Sequence, residues 1–427
     1  MTVTVFLVSL MGAMALGMPI AFALIVCALA LMWAQGGAID MTLLSQKLVE
    51  GADSFPLLAI PFFILAGELM NAGGMSKRIV NFALGCVGHI RGGLGLVAVF
   101  AAVVMAAISG SAAADAAALG TLLIPMMRQA GYNIPRSAGL IAAGSIIAPV
   151  MPPSVAMIVF GVVANVSIGK LFMAGIFPAL LMGVSLIIAW LWVVRRDKIE
   201  VQPRKSVREM LAVTRDAIWA LVMPLGIVGG MKFGIFTPTE AAVAACAYAF
   251  LVGMFLYREL KLRDLYPLVV VAAKTTSVVV FLIASALVSA WLITTSSVPQ
   301  QIGAMLEPFM ESPRLLMFVM MVLVVIIGTA LDFAPTLLIL TPVLMPIVKQ
   351  AGIDPVYFGV LFIMNNAIGL ITPPVGIVLN VLSGVAKISM GDVVKGCMPF
   401  LIAETAVLFL LVAFPELVML PLKWLTH

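Results

Sequence analysis

Two proline pairs, Pro152-Pro153 and Pro373-Pro374, interrupt stretches that are otherwise apolar enough to span a membrane. Proline lacks an N–H, and its ring crowds the carbonyl of the residue four positions earlier. If helical geometry continues up to each pair, the carbonyls of Ala148 and Gly369 need a new partner from protein, water or a cation. The pairs therefore predict either two sites for a hard cation such as Na⁺ or two kinked helices satisfied by their neighbours. The presence of two such breaks favours the cation sites.

Hydroxyl and amide side chains lie close to both breaks in the sequence. Thr372 directly precedes the second pair, and the turn Ser109-Gly110-Ser111 is predicted to reach the first pair from a separate segment. The adjacent Asn365 and Asn366 are predicted either to line the path of a substrate or to form hydrogen bonds between helices. Carbonyl oxygens with an added hydroxyl are suitable ligands for Na⁺.

Each half of the chain also carries an acid just before an apolar run, Asp115 in SGSAAADAAALG and Asp332 in GTALDFAPT. Such a stretch is typical of a re-entrant hairpin tip, where the N-terminus of a helix directs N–H groups inward. Each acid is expected either to cap these N–H groups or to tune an ion site. The candidate substrate ligands are Ser109, Ser111, Asp332, Asn365 and Asn366.

Three further acids, Glu68, Glu240 and Glu404, lie in apolar surroundings. An acid inside the membrane is a functional candidate because its charge is costly there. Glu240 follows Thr237 by three residues, which predicts a capping box at the start of a helix instead.

Several kinds of chemistry are excluded by residue types. The chain has only two histidines and four scattered cysteines, so a histidine metal cluster, a Ser–His–Asp triad and a CxxC redox pair are not expected. No phosphate-binding GxxxxGK[ST] loop occurs, and the chain therefore carries no ATP motor of its own. The net charge of +5 does not indicate nucleic-acid binding, because the basic residues lie in loops between apolar segments.

The composition predicts the elements that must position these residues. The chain of 427 residues is 63% hydrophobic and only 10% charged, whereas a soluble domain carries roughly a quarter charged residues. About a dozen apolar runs approach the ~20 residues that a spanning helix needs. We therefore predict an all-α polytopic membrane protein with broken helices. The first run, residues 3–33, fits either one tilted helix or two half-helices broken at Gly17-Met18-Pro19.

The chain contains an internal duplication. Gln129-Ala130-Gly131 recurs as Gln350-Ala351-Gly352, and Pro152-Pro153 recurs as Pro373-Pro374 at the same spacing. Chance similarity between apolar segments would match scattered Leu and Val residues, not prolines and glycines in order. The duplication divides the chain into a first repeat, a basic linker and a second repeat, over residues 1–194, 195–215 and 216–427.

Charge indicates that the two repeats insert in opposite directions. The loop over 76–91 is basic while its counterpart over 297–314 holds two acids, and the basic loop over 258–264 has an acidic counterpart near 37–53. Because basic loops remain cytoplasmic, an opposite bias at equivalent loops indicates an inverted-topology repeat with two re-entrant hairpins, as in many secondary transporters. The linker, with seven Lys or Arg, is predicted to be cytoplasmic.

The motifs IPFFILAGELMNAGGMSKRIV, SGSAAADAAALGTLLIPMM, APVMPPS, FTPTEAA and GLITPPVG resemble those of the large membrane subunit of tripartite ATP-independent periplasmic (TRAP) transporters. The resemblance extends over about residues 3–425. It implies a multi-pass protein of the bacterial inner membrane that imports an organic acid with Na⁺, by an elevator motion of the hairpin-bearing halves. It also implies a small four-helix membrane subunit and a periplasmic substrate-binding protein as partners, within membrane lipid.

The resemblance assigns the Na⁺ ligands to the two breaks. The first site would use Ser109, Gly110 and Ser111 with backbone oxygens near Ala148, Met151 and Pro153. The second site would use Gly328, Gly369, Thr372 and Val375. Met151 stands where the second repeat has Thr372, so the first site would depend on backbone oxygens and the two sites are expected to differ in affinity.

Three functions are compatible with a polytopic membrane chain. The first is the TRAP large subunit, with a sugar acid such as sialic acid or keto-gulonate favoured over a C4-dicarboxylate by the resemblance. The second is a stand-alone ion-coupled carboxylate symporter without a binding protein. The third, a proton-conducting respiratory subunit, would need relays of Lys, Glu and His inside the membrane, and no spanning run contains a histidine.

Overall fold

The structure is a computed structural model that describes residues 2–34, 40–195, 197, 204–295 and 307–426. Within these residues the chain is all-α, and seven helices are long and apolar enough to cross a membrane. The helices of the first half are α1 (Thr2–Ala15), α2 (Ile20–Ala34), α3 (Met41–Ala52), α4 (Ala59–Ala72), α5 (Met75–Val87), α6 (Gly93–Ser109), α7 (Ala112–Gln129), α8 (Ile134–Ser145), α9 (Val155–Ala164) and α10 (Ile168–Val194).

Beyond the first half, helical structure resumes at Val207, inside the predicted linker over 195–215. The helices that follow are α11 (Val207–Lys232), α12 (Pro238–Leu251), α13 (Leu262–Thr295), α14 (Pro313–Ala330), α15 (Phe333–Gln350), α16 (Pro355–Gly369), α17 (Ile377–Ala386), α18 (Met390–Ala413) and α19 (Glu416–Thr426). Part of the predicted linker is therefore helical, and part of it lies outside the described residues. A capping box between Ser206 and Glu209 explains the early start of α11.

The first apolar run forms two helices and not one. The Cys27 thiol of α2 donates to the Phe6 carbonyl of α1 over 3.7 Å, so the two helices lie antiparallel. The chain turns between them at Gly17, which has a φ of +75°. Since only glycine adopts that conformation without steric cost, the Gly-Met-Pro sequence ends α1 and allows α2 to fold back.

Two hairpins and two broken helices occupy equivalent positions in the two repeats. Helices α6 and α7 form the first hairpin and α14 and α15 the second, while α8/α9 and α16/α17 are interrupted at the proline pairs. Both proline pairs contain a cis peptide bond. We call α6–α10 together with α14–α19 the hairpin body, and α1–α5 together with α11–α13 the frame.

Contacts between the repeats show that they run in opposite directions. Arg128, at the base of the first hairpin, donates a 2.6 Å hydrogen bond to the carbonyl of Ala386, at the far end of the second broken helix. Phe160, late in α9, packs against Phe358, early in α16, with ring centroids 6.3 Å apart. The end of each broken helix thus lies beside the start of the other half, and the two hairpins enter the body from opposite sides.

Close backbone approach holds the hairpin body together where α8 crosses α18. A Cβ atom at Gly396 would overlap the Pro135 carbonyl, and one at Gly139 would overlap the backbone of Cys397. Small residues allow membrane helices to approach closely and gain van der Waals contact, which replaces the hydrophobic driving force that lipid does not supply.

We expect Gly396→Ala to destabilise the protein. Overpacking at a fixed backbone contact typically costs about 1–3 kcal/mol, so the melting temperature in detergent should fall by several degrees. The matched control is Gly226→Ala in α11, where a Cβ meets no atom within 4 Å. An unchanged melting temperature for Gly396→Ala would contradict the tight crossing.

Candidate ion and substrate site

A cavity of about 430 Å³ lies between the hairpin body and the frame. The tips of both hairpins and the edges of both helix breaks form one wall, and α4 and α13 form the other. The polar side chains that line it are Glu68, Asn71, Ser109, Ser111, Thr275 and Asp332. The structure thus brings together the two predicted tips, which are far apart in the sequence.

The first hairpin tip is formed by three small residues. Ser109 ends α6, Gly110 has a left-handed φ of +60°, and Ser111 is the N-cap of α7. The Ser111 N–H donates to Ser109 Oγ over 3.2 Å, and the Ala114 N–H donates to Ser111 Oγ over 3.4 Å. Both hydroxyl oxygens are held at the tip, each with a remaining lone pair for a further ligand.

The first break packs directly against this tip. A Cβ atom at Gly110 would lie 3.3 Å from the Pro153 carbonyl oxygen, so glycine is needed for the approach as well as for its φ. Helix α8 ends at Ser145, and the expectation that it continues to Pro152 is wrong because successive tight turns fill the interval. In the described part of the chain no N–H donates to the carbonyls of Ala148, Met151 or Pro153.

The second break differs from the prediction in its hydrogen bonds. The Gly369 carbonyl accepts from the Thr372 N–H over 3.1 Å, so the expectation that Pro373 leaves it without a partner is wrong. The Thr372 hydroxyl donates to the Ile368 carbonyl over 2.8 Å. The Val375 carbonyl accepts from the Asn380 side chain over 3.0 Å. The Gly369 and Val375 carbonyl oxygens each keep one lone pair for a further ligand, and the Thr372 hydroxyl oxygen keeps both of its lone pairs because it donates its proton.

Gly328 and Gly369 are nevertheless brought together. A Cβ atom at Gly369 would lie 3.2 Å from the Gly328 carbonyl oxygen, near the end of α14. No N–H in the described residues donates to that oxygen. We call the pairs Gly110–Pro153 and Gly328–Gly369 the tip-and-break contacts. In both pairs a glycine leaves room for a carbonyl oxygen of the other segment.

The two breaks are unequal in exposure. At the first break Ala148 and Met151 are buried, whereas at the second break Pro373 and Pro374 are exposed and Thr372 is half-buried. The first site offers backbone oxygens in a buried position, and the second adds a hydroxyl in a more open one.

The two tip acids have different roles. Asp332 is the N-cap of α15, and its carboxylate accepts from the Phe333 N–H over 2.7 Å. Asp115 does not cap α7, because Ser111 occupies that position. Its side chain is fully buried, and neither carboxylate oxygen has a hydrogen-bond donor among the described residues. The capping interpretation is confirmed for Asp332 and wrong for Asp115.

Asn365 and Asn366 do not reach the cavity. The Asn365 amide donates to the Met321 carbonyl of α14 over 2.7 Å, and the Asn366 amide donates to the Phe362 carbonyl over 3.1 Å. Both side chains are buried. Their helix face packs inside the hairpin body, and the Asn365 bond to Met321 is the interhelical hydrogen bond that was the alternative interpretation.

The three remaining acids lie in three different environments. Thr237 and Glu240 form the predicted capping box, with the Thr237 N–H 2.8 Å from the Glu240 carboxylate. Glu404 is buried between α18 and α10, away from the cavity, and its carboxylate has no hydrogen bond in the described residues. Glu68 lines the cavity from the frame.

Two polar residues of the frame wall, Asn71 and Thr275, were not predicted as part of the site. Thr275 sits in an apolar helix, and its hydroxyl donates to the Val271 carbonyl over 3.0 Å, as threonine commonly does in such helices. The sequence carries a signal in the Lys-Thr-Thr-Ser cluster over 274–277, but spacing within one helix does not show which residue faces a cavity.

The arrangement can bind a cation beside an anion. Each tip meets its break at a backbone carbonyl oxygen, Pro153 at the first and Gly328 at the second, and such oxygens suit a hard cation. The N-termini of α7, α9 and α15 open toward the cavity, and their N–H groups favour negative charge. Among the described residues that line the cavity there is no Lys or Arg. An anionic ligand would therefore depend on helix N-termini and on nearby cations.

Comparisons with known proteins point to one family of transporters. The family model described as the DctM component of the tripartite ATP-independent periplasmic transporter matches residues 7–417. The chain is 53% identical over 426 residues to the 2,3-diketo-L-gulonate TRAP transporter large permease protein YiaN of Escherichia coli, and the match covers 100% of both chains. It is 38% identical over 410 residues to the sialic acid TRAP transporter large permease protein SiaM of Vibrio cholerae, covering 96% of both.

Two further similarities have a lower identity than the match to YiaN. The C4-dicarboxylate TRAP transporter large permease protein DctM of Pseudomonas aeruginosa is 38% identical over 382 residues, covering 90% of both chains. The crystal structure of the Alcanivorax borkumensis YdaH transporter superposes with a TM-score of 0.60 and 16% sequence identity, covering 88% of this chain and 90% of that chain. This likeness supports the fold alone.

We expect Gly110→Ala to disrupt the first tip-and-break contact. The added Cβ meets the Pro153 carbonyl at 3.3 Å and moves the oxygens at the tip apart. We expect added Na⁺ to raise the melting temperature of the unaltered protein, and this rise should shrink or disappear in the variant. The matched control is Gly131→Ala, because Gly131 has a similar φ of +76° but open space around its Cβ. Equal Na⁺ responses in the two variants would contradict a cation site at the first break.

Proposed function

The chain belongs to the DctM-component family of tripartite ATP-independent periplasmic transporters, and from that membership we propose that it imports an organic acid by coupling to Na⁺. It is a multi-pass protein of the bacterial inner membrane and a transporter permease, not an enzyme. The observation that carries the proposal is the pair of tip-and-break contacts, Gly110 with Pro153 and Gly328 with Gly369, beside one cavity.

Cations at these two contacts would link ion binding to substrate binding. Each contact joins a hairpin tip to a broken helix, so an ion held there would fix the N-termini of α7 and α15 in place. The same ions would add positive charge beside a cavity whose lining otherwise includes the acids Glu68 and Asp332. Substrate binding would then require the ions, which is the basis of symport.

The substrate class that we favour is a sugar acid over a C4-dicarboxylate. A dianion would meet the carboxylates of Glu68 and Asp332 in the cavity wall without a basic side chain to balance them. A monoanion with several hydroxyl groups could use the same oxygens as hydrogen-bond acceptors. The similarity to a permease named for 2,3-diketo-L-gulonate, with 53% identity, supports this preference.

The partners that we propose follow from the tripartite family. A periplasmic binding protein would deliver the acid, and a small membrane subunit with four helices would complete the permease. The alternative is a stand-alone ion-coupled carboxylate symporter. It has the same ion and substrate sites but works without either partner, so transport measurements separate the two.

The experiment that tests the proposal is uptake into proteoliposomes. We expect labelled sugar acid to enter only when the chain is reconstituted with its small subunit and binding protein and an inward Na⁺ gradient is imposed. Replacing Na⁺ by K⁺ should abolish uptake. Uptake by the chain alone would favour the stand-alone symporter, and uptake that is independent of Na⁺ would reject the coupling.

Motion of the hairpin body past the frame is also proposed. The cavity lies against Gly67–Asn71 of α4 and Thr275–Val279 of α13, near the basic loops that are predicted to be cytoplasmic. A second cavity of about 710 Å³ lies between the same two bodies, against Leu287–Thr294 of α13. The helical rise places Leu287 about 18 Å along α13 from Thr275. An elevator motion would carry the tips from one position toward the other.

A disulfide between the tip and the frame should stop this motion. A Cβ atom at Gly67 would lie 3.5 Å from Ser109 Cα, which places both residues within the roughly 7 Å that a disulfide needs. We expect the Gly67→Cys, Ser109→Cys double variant to lose its remaining uptake on oxidation and regain it on reduction. Because uptake is compared between the oxidised and reduced forms of the same variant, the loss of the Ser109 hydroxyl affects both measurements equally.

Each single variant under the same oxidant serves as the control, since the chain also has four native cysteines. Full formation of the disulfide, verified by mass spectrometry, with no change in uptake would reject the elevator motion and favour local gating around a fixed site.

A further inference from the structure

The groups of the first cavity that favour an anion belong to the hairpin body. The N-termini of α7, α9 and α15 open toward the cavity of about 430 Å³, and they would move with the body in the proposed motion. Their contribution to substrate affinity would therefore be similar in both positions of the body. A difference in affinity between the two sides of the membrane would then come from the frame, because the frame wall beside the substrate changes.

The frame wall of this cavity carries one acid and, among the described residues, no base. Glu68 of α4 lines the cavity together with Asn71 of the same helix and Thr275 of α13. The Glu68 carboxylate forms no ion pair with a described Lys or Arg. Because the side chain is partly exposed to the cavity, it keeps contact with water and hence its charge. Glu68 thus presents an unbalanced negative charge to an occupant of the cavity.

The other acid of the lining, Asp332, differs from Glu68 in two respects. Asp332 is the N-cap of α15, and its carboxylate accepts from the Phe333 N–H, so the positive end of the helix offsets its charge. Asp332 also belongs to the hairpin body and would travel with the substrate. Of the two acids, Glu68 is the one that would stay behind when the tips leave this position.

Basic side chains of the next helix do not balance Glu68. Helix α5 follows α4 and carries Lys77 and Arg78 in its first turn. Arg78 is paired with both Asp216 and Glu259, and neither basic residue lines the cavity. Because basic loops remain cytoplasmic, their position next to the end of α4 predicts that Glu68 lies toward the cytoplasmic side.

We propose that Glu68 promotes release of the organic acid on the cytoplasmic side, by repelling its carboxylate while the tips lie against α4. The proposal rests on the proposed function, since it requires an anionic substrate and a hairpin body that moves past the frame. In the other position, beside the cavity of about 710 Å³, the substrate would not meet Glu68, which is absent from the lining of that cavity. The same helix N-termini would then bind the acid without this repulsion.

The frame wall of the second cavity has a different composition. Lys47 lies there 2.6 Å from Glu50, Asp53 follows at the end of the same helix, and Trp291 of α13 is part of the lining. The charges of an ion pair partly cancel at a distance, and an indole ring offers an apolar face against which a sugar ring can pack. This wall combines a base and an aromatic ring with its acids, whereas the wall at Glu68 has a single charge that opposes an anion.

Binding of a cation is the competing role for Glu68. A carboxylate that held Na⁺ beside the substrate would strengthen substrate binding, and its removal would weaken it. The tip-and-break contacts already offer carbonyl oxygens for cations, and Glu68 belongs to neither contact. The direction in which substrate affinity changes therefore separates the two roles.

Two isosteric variants with opposite charge changes test the proposal. Glu68→Gln removes the charge and keeps an oxygen that accepts hydrogen bonds, and Asn71→Asp adds a charge three residues away on the same wall. Proteoliposomes hold the complete transporter with its cytoplasmic side inside, and unlabelled 2-keto-L-gulonate, a sugar acid with one carboxylate, is placed in the lumen. The quantity measured is the internal concentration that produces half of its maximal effect on the initial uptake of external label.

We expect Glu68→Gln to lower this internal concentration roughly three- to tenfold, because a like charge near the bound carboxylate is lost, and Asn71→Asp to raise it. The external concentration for half-maximal uptake should change less than the internal one, since Glu68 does not face the substrate in the outer position. Glu68→Asp, which keeps the charge, serves as the control and should resemble the unaltered chain.

An internal concentration that is unchanged in Glu68→Gln would overturn the proposal. An increase would also overturn it and would assign Glu68 to cation or substrate binding. If internal sugar acid has no effect on uptake, titration calorimetry on the Gly67→Cys, Ser109→Cys disulfide form measures binding at this position instead. Glu68→Gln should then bind more tightly and Asn71→Asp more weakly, and equal binding would reject the role of Glu68.

Failure of the proposed function gives a different result. If the unaltered transporter takes up no 2-keto-L-gulonate, the preference for sugar acids fails, and the same measurements are made with succinate, whose second charge should enlarge the effect of Glu68→Gln. If uptake by the unaltered transporter requires Na⁺ while Glu68→Gln leaves the internal concentration unchanged, the release proposal fails and the proposed function stands.

Discussion

The structure depends on one constraint: a backbone polar group inside a membrane must have a partner. Long helices meet this requirement by themselves, and irregular backbone is tolerated only where it meets protein, water or an ion. In the described part of the chain two breaks at proline pairs and two hairpin tips are irregular segments of this kind, and all four meet beside one cavity. The exceptions to regular helix are therefore concentrated where a transporter needs oxygen and N–H groups that remain free.

Glycine allows these irregular segments to lie close together. At Gly110 and Gly369 the absence of a side chain lets a carbonyl oxygen of another segment approach within 3.3 Å and 3.2 Å of where a Cβ would stand. The two contacts are similar because the repeats are inverted copies, yet they are not equal. The first lies in a buried setting of backbone oxygens, while the second includes the Thr372 hydroxyl and exposed prolines. Two sites built this way would bind the same ion with different strengths.

The sequence is sufficient to predict the all-α class, the duplication, the two tips and the two breaks, because prolines, glycines and charges mark them directly. It is less informative about individual hydrogen bonds. Proline removes a donor at a known position, but Gly369 regains one from the Thr372 N–H, and α8 ends before the effect of Pro152 applies. The sequence also does not show in which direction a side chain points. Asn365 and Asn366 face the interior, whereas Asn71 and Thr275 face the cavity.

Contacts outside the cavity tie the two hairpins into the hairpin body. Arg128 bonds the base of the first hairpin to the end of α17, and Asn365 bonds α16 to α14, so each half is tied to the other or to its own hairpin by a buried or half-buried polar bond. Inside the membrane such bonds are costly to break, because the separated groups find no water. Between the frame and the tip, Gly67 lies close to Ser109, whose Cα is 3.5 Å from where a Cβ of Gly67 would stand, and no hydrogen bond between the two residues is present. The bonds within the hairpin body are thus directional and buried or half-buried, which would keep the two hairpins together in the motion proposed above.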